Sequence, residues 1–151
     1  MAREIVATTN EELERLPVHD QWLSLDDVRA TEDGDLVFSM LIEDEEPCTL
    51  PPRTLLRFLH YAYRVPRHKA ELRISSVLNH EVRDDARIGG TDVNGISMGA
   101  KAITITGNHP VTVRAEVSAP CVTLSVSDEI AGHIAYSVWF SQLFCSHPED
   151  G

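Results

Sequence analysis

The stretch from residue 102 to residue 127, AITITGNHPVTVRAEVSAPCVTLSVS, decides the fold class, because apolar and polar side chains alternate along it. Such alternation is typical of β-strands with one face in a core and the other in water. The sequence therefore predicts three strands, at 102–106, 111–117 and 122–127. Their shared apolar face is predicted to contain Ile103, Ile105, Val111, Val113, Ala115, Val117, Val122, Leu124 and Val126.

The pairing of these strands follows from the same alternation, since directly opposite residues share a face. A three-residue loop at 107–109 pairs Ile105 with Val111 and keeps the faces separate, whereas a two-residue turn mixes them. We therefore predict the odd-length loop. By the same argument, a four-residue loop at 118–121 sets Val117 against Val122.

Outward from this stretch, residues 22–30 and 35–43 also alternate and flank the turn sequence TEDG at 31–34. This arrangement predicts a β-hairpin. With a four-residue loop, Leu23 and Leu25 lie opposite Ile42 and Met40. The predicted core face of this hairpin is Leu23, Leu25, Leu36, Phe38, Met40 and Ile42.

A short helix is predicted over residues 9–16, ahead of the hairpin. Thr9 and Glu12 have the spacing of a capping box, in which each residue bonds the backbone of the other. Pro17 is expected to end the helix.

Two segments fit a strand or a helix. In 53–65 (RTLLRFLHYAYRV) and 129–140 (EIAGHIAYSVWF) the apolar residues match both periods. Their aromatic and β-branched content favours strands. Helices at 53–65 and/or 129–140, and hence an α+β fold, remain the alternative. Pro66 is expected to close the first segment in either case.

The preferred fold is all-β: an antiparallel β-sandwich or flattened barrel with a short N-terminal helix. We expect one β-rich domain over 1–151, with 1–18 as an N-terminal helical arm and 145–151 as a loose tail.

Charge is unevenly distributed along the chain. Residues 1–46 carry 14 acidic and 3 basic side chains, whereas residues 53–73 carry 6 basic side chains and one acidic. Separate patches of opposite charge would steer association with a partner. The charge pattern therefore suggests a homo-oligomer, most simply a dimer, or another protein as partner.

Composition also excludes several classes of protein. The net charge of −11 argues against a dedicated nucleic-acid binder, which must supply cations to phosphates. No apolar run approaches the ~20 residues that a membrane span needs, and the N-terminus lacks the pattern of a signal peptide. We therefore expect a cytoplasmic protein with no membrane association. The cysteines and histidines lack the spacing of metal ligands, so we expect no metal and no other cofactor.

The richest polar stretch is 79–97, of which 83–97 is predicted to be a long loop. Such a loop could bind a sugar or a nucleotide. Together with the basic segment it supplies the candidate interaction or ligand patch: Arg57, Arg64, Arg67, Arg83, Arg87, Asp92 and Asn94.

No nucleophile, base and orienting group stand at recognisable spacing. Our first hypothesis is therefore a non-catalytic protein-interaction module. A small-ligand-binding β-sandwich that uses the 79–97 loop, and an enzyme whose residues meet only in space, are the alternatives.

Overall fold

The computed structural model describes residues 2–43, 60–108 and 110–139, and for 60–64 and 134–139 the backbone alone. Within these residues ten strands and one helix follow in this order: β1 (Arg3–Ala7), α1 (Asn10–Glu14), β2 (Trp22–Ser24), β3 (Arg29–Ala30), β4 (Leu36–Glu43), β5 (His60–Ile74), β6 (Val77–Asp84), β7 (Gly90–Met98), β8 (Ala102–Gly107), β9 (Val111–Val117) and β10 (Val122–Trp139).

The strands form one antiparallel sheet in the order β1-β10-β5-β4-β2-β7-β8-β9-β6, and β3 is added to β4. The two ends of this order, β1-β10-β5-β4 and β7-β8-β9-β6, are joined through the short strand β2. Buried side chains from both ends belong to one hydrophobic cluster, so the sheet folds over a single core. The predicted all-β sandwich or flattened barrel is confirmed.

The predicted core faces are also confirmed. All nine apolar positions of β8, β9 and the start of β10 are buried, as are the β4 positions Leu36, Phe38, Met40 and Ile42. Leu23 is buried, and Leu25 is partly buried against the same cluster. Burial of each large apolar side chain contributes about 1.5–3 kcal/mol.

Helix α1 begins where the capping residues predict. The Thr9 hydroxyl accepts a hydrogen bond from the backbone N–H of Glu12, 3.2 Å away. The Asn10 side chain bonds both backbone groups of Met98, with its Nδ2 2.7 Å from the carbonyl oxygen and its Oδ1 2.8 Å from the nitrogen. Leu13 is buried in the core, together with Leu16 and Val18. The N-terminal region, predicted as a helical arm, therefore also contains β1 and contributes to the core.

Two predicted registers are wrong. Ile105 pairs with Val113, whereas the prediction paired it with Val111. The connection between the last paired residues, Thr106 and Thr112, has an odd number of residues as predicted, but it has five residues and not three. In the predicted hairpin, Leu23 pairs with Met40 and not with Ile42, and Ala30 pairs with Leu36. The chain between β2 and β3 bends at 25–27, so one continuous register does not join the two strands.

The predicted pairing of Val117 with Val122 is also wrong. β9 pairs with β8 and β6, whereas β10 pairs with β1 and β5. The connection at 118–121 therefore crosses between the two ends of the sheet order and does not close a hairpin.

Both ambiguous segments are strands where the structure describes them, so helices at 60–65 and 129–139 are wrong. Residues 53–59 and 140 lie outside the described residues, as does the predicted tail at 145–151. β5 also continues through Pro66, contrary to expectation. Pro66 pairs with His133 next to irregularities in the β5–β10 register, and such sites tolerate the missing N–H.

The long loop predicted over 83–97 is wrong. β6 extends to Asp84 and β7 begins at Gly90, so the connection is only 85–89. The Asp84 carboxylate accepts hydrogen bonds from the backbone N–H groups of Ile88 (3.2 Å) and Gly89 (2.8 Å), which hold this short turn.

Candidate binding groove

A groove of about 950 Å³ lies on the face of β1, β10, β5, β4 and β2 that points away from the core. Along each of these strands the core-facing side chains alternate with the side chains that face the groove. On β4, for example, the buried Met40 alternates with the half-buried Ser39 and Leu41, and all three residues line the groove. We call this feature the outer groove.

The floor of the outer groove contains a polar row that crosses four strands. Ser39 pairs with Glu71, Glu71 with Ser125, and Ser125 with Glu4. Opposite residues in a sheet stand about 4.5–5.5 Å apart on one face. The row therefore presents hydroxyl and carboxylate groups side by side on a rigid sheet.

Several contacts hold these groups in place. Arg29 Nη2 lies 2.7 Å from Glu71 Oε1, and Lys69 Nζ lies 2.7 Å from Glu129 Oε1. The Ser39 hydroxyl donates to Asp27 Oδ2 at 2.7 Å. The Ser125 hydroxyl lies 3.5 Å from Glu4 Oε2, at the long limit of a hydrogen bond.

One wall of the outer groove is the indole of Trp22, which is half-buried. Its ring lies over Gly90 of β7, where an added Cβ would overlap the six-membered ring. Gly90 is opposite Ser24, so the glycine stands beside Trp22 on the same face. The absence of a side chain at Gly90 therefore allows Trp22 to lie flat against the sheet.

The basic segment and the acidic N-terminal segment are joined by ion pairs. Arg73 Nη1 lies 2.9 Å from Asp35 Oδ2, and Glu71 bonds Arg29 as described above. Part of the charge that the sequence assigned to separate patches is therefore paired within the chain.

The candidate residues that the structure describes lie on different strands and turns and do not form one patch. Arg57 lies outside the described residues, and Arg64 is opposite Ala135 in the β5–β10 pair. Arg67 of β5 is opposite both Glu43 and Gly132. Arg83 lies on β6 at the other end of the sheet order and pairs with Glu81 at 2.7 Å.

The remaining candidates lie in and near β7. Arg87 is in the 85–89 turn with a φ of 55°. Asp92 is opposite Trp22, on the strand next to the outer groove. Asn94 borders a small recess of about 240 Å³ between β7 and the region of α1.

Sequence reasoning missed the residues of the outer groove. Ser39, Glu71 and Ser125 are the polar halves of segments whose alternation is visible in the sequence, whereas β1, which carries Glu4, does not alternate and was not predicted. What the sequence could not show is that β4, β5, β10 and β1 are neighbours, because these strands are far apart along the chain.

The pKa values of two described side chains are shifted from their ordinary values, and both side chains lie outside the outer groove. Hydrogen bonds from the side chain and backbone of Thr8 hold the pKa of Glu12 below its ordinary value. The hydrogen bond to Glu81 raises the pKa of Arg83. Neither residue lines the outer groove.

Across the described part of the chain, no group of three or more His, Cys, Asp or Glu side chains could hold a metal ion. Within the same residues, no helix has the length and apolar character needed to cross a membrane. Comparison with protein-family models, curated proteins and solved structures found no match to this chain.

Proposed function

We propose that this protein is a non-catalytic interaction module that binds a basic segment of a partner protein in the outer groove. The observation that carries the proposal is the polar row Ser39–Glu71–Ser125–Glu4 on the floor of the outer groove. A rigid row of acceptors suits a ligand that brings its own donors.

The charge of the outer groove favours a cationic ligand. Four carboxylates line it, from Glu4, Asp27, Glu71 and Glu129, against the cations Arg3 and Lys69. Glu4 and Asp27 contact serine hydroxyls. Because a hydroxyl is neutral, these contacts do not compensate the negative charge of the two carboxylates. An arriving Lys or Arg side chain would be attracted there, because complementary charge raises encounter rates and selects partners.

A reducing compartment also fits the proposal. The three cysteines are far apart in the sequence, and Cys121 is a free thiol. Free cysteines are usual where disulfides do not persist, so we place the interaction in the cytoplasm.

The proposal is tested by affinity capture from an extract of the source cells, followed by calorimetry with the purified partner. The bait is compared with a Glu4→Lys/Asp27→Asn variant, in which the asparagine keeps an acceptor for Ser39. We expect partner affinity to fall about tenfold, since each exposed charge pair is worth about 0–1 kcal/mol.

A Glu32→Lys/Asp33→Asn variant is the matched control, because it makes the same charge change at exposed positions of the 31–34 turn. It should bind like the unmodified protein. A partner that binds the groove variant with unchanged affinity would contradict the proposal.

A neutral saccharide is the second candidate ligand, favoured by the half-buried Trp22 indole beside Ser24 and Asp27. A large aromatic face can cover apolar ligand surface while neighbouring polar groups bond its hydroxyls. Calorimetry with a panel of soluble oligosaccharides separates the candidates: saccharide binding that Trp22→Ala abolishes would favour this second function.

A further inference from the structure

The edge strand β6 carries an unusual combination of features. It pairs with β9 on one side, and among the described residues no strand pairs with its other side. An edge strand presents unpaired backbone N–H and C=O groups that can template another strand.

The register identifies which backbone groups face the open edge. The Val117 N–H bonds the carbonyl of Lys101, so the odd-numbered residues of β9 point their backbone groups toward β8. The even-numbered residues of β9 therefore bond β6, where they are opposite Asn79, Glu81 and Arg83. The open edge is left with the backbone groups of His80, Val82 and Asp84, of which the Asp84 carbonyl also accepts a hydrogen bond from the Arg87 N–H at 2.9 Å. Consistently, the His80 N–H bonds its neighbour's side-chain oxygen, 3.0 Å away. At the start of the strand, the Val77 N–H bonds the Gly34 carbonyl at 2.7 Å.

The sequence of this edge is complementary to itself in antiparallel pairing. If two copies of β6 meet about a two-fold axis at Val82, the backbone groups that face the two open edges bond each other. Val82 of one copy then bonds Val82 of the other, and His80 of each copy bonds Asp84 of the other. The same register sets Glu81 of each copy opposite Arg83 of the other. Both side chains are exposed, and both are on the face opposite to Val82, which packs against the core. Opposite charges in such cross-strand positions stabilise the pair.

Two exposed apolar side chains lie at the ends of the same strand. Leu78 is the extra residue of a bulge between Val77 and Asn79, and it is 72% exposed. Ile88, in the turn that follows β6, is 47% exposed. Antiparallel pairing about Val82 brings Leu78 of each copy toward the 85–89 turn of the other, where the two side chains can cover each other.

We propose that two copies of this chain associate through their β6 edges and extend the sheet across a two-fold axis. The occupant of the edge is a second copy because backbone pattern, charge order and the two apolar ends all fit one register. An isologous contact of this kind closes as a dimer. One strand pair is smaller than a standard interface, so the dimer should be concentration-dependent. This proposal is independent of the outer groove.

Sedimentation velocity of the full chain tests the proposal, from micromolar to submillimolar concentration in about 0.15 M salt, where long-range repulsion between acidic chains is largely screened. The unmodified protein should dimerise. Glu81→Arg sets two pairs of arginines opposite each other, and Arg83→Glu sets two pairs of glutamates opposite each other. Each variant should weaken the dimer about tenfold.

The double variant Glu81→Arg/Arg83→Glu restores opposite charges in the same register, and it should recover the dimer to within about threefold of the unmodified protein. Glu14→Arg, an equal charge change at an exposed position of α1, is the control and should have no effect. Circular dichroism checks that each variant keeps its strands.

A protein that stays monomeric at every concentration would overturn the proposal. A dimer that neither single variant weakens would also overturn it, and so would a double variant that does not recover the dimer. Both results would place the interface elsewhere.

Discussion

Gly90 and Trp22 form the most sharply defined contact beside the outer groove. The indole occupies the space where any other residue at position 90 would place its Cβ. Gly90 is itself buried, and its neighbour Thr91 is completely buried, so β7 has little room to move away. The orientation of Trp22 therefore depends on a residue that has no side chain.

Gly90→Ala is expected to displace the Trp22 ring and to lower the free energy of unfolding by about 1–3 kcal/mol, the usual cost of overpacking. Urea unfolding measures the stability, and tryptophan fluorescence in a Trp139→Phe background reports the ring.

Gly95→Ala on the same strand is the control for this change. An added Cβ there would approach the Thr106 hydroxyl at 3.3 Å, which a small rotation relieves. Gly95→Ala should leave the emission spectrum of Trp22 unchanged. Equal spectra for the two variants would mean that Gly90 does not position the indole.

At the scale of elements, prediction from sequence succeeded where one strand face is buried. β8, β9 and the start of β10 alternate because each has one face in the core, and all their apolar positions are buried. The alternating stretch 70–82 included most of β6 but did not separate it from β5, and as an edge strand β6 is exposed at most positions on both faces. β7 was interpreted as a loop because of Asp92, Asn94 and its glycines, although its pairing with β2 and β8 makes it a strand.

Helix α1 provides a prediction about pH. Hydrogen bonds to Thr8 and Thr9 lower the pKa of Glu12 in the folded protein. A depressed carboxyl pKa stabilises the fold above the ordinary glutamate pKa, and this contribution is lost as the pH falls through the lowered value. Glu12→Gln should therefore reduce the loss of stability on acidification below about pH 4.5.

The measurement is the urea midpoint as a function of pH between neutrality and acid. Glu14→Gln, a change of the same type within the same helix, is the control and should follow the unmodified protein more closely. Parallel curves for the unmodified protein and Glu12→Gln would show that the bonds to Thr8 and Thr9 do not contribute.

At the scale of the whole molecule, the sequence determined the fold class but not which strands are neighbours. The outer groove exists because β1, near the N-terminus, pairs with β10, and β10 pairs with β5. These pairings join residues that are 48 or more positions apart, such as Glu71 and Ser125. Alternation shows which face of a strand is buried, but it contains no information about the strand on either side.

The shared core makes a final prediction about cooperativity. Ile105 of β8 and Leu124 of β10 are both buried in one cluster, although their strands are at different ends of the sheet order. A single core of this kind should unfold in one transition. Ile105→Ala should lower the free energy of unfolding by about 2–5 kcal/mol. Its urea midpoint should shift equally by circular dichroism, which reports all strands, and by Trp22 fluorescence in the Trp139→Phe background, which reports β2. Thr104→Ala, at a half-buried position of the same strand, should shift both much less. If Ile105→Ala shifted the circular dichroism transition and left the fluorescence transition in place, the two ends of the sheet order would be separate folding units.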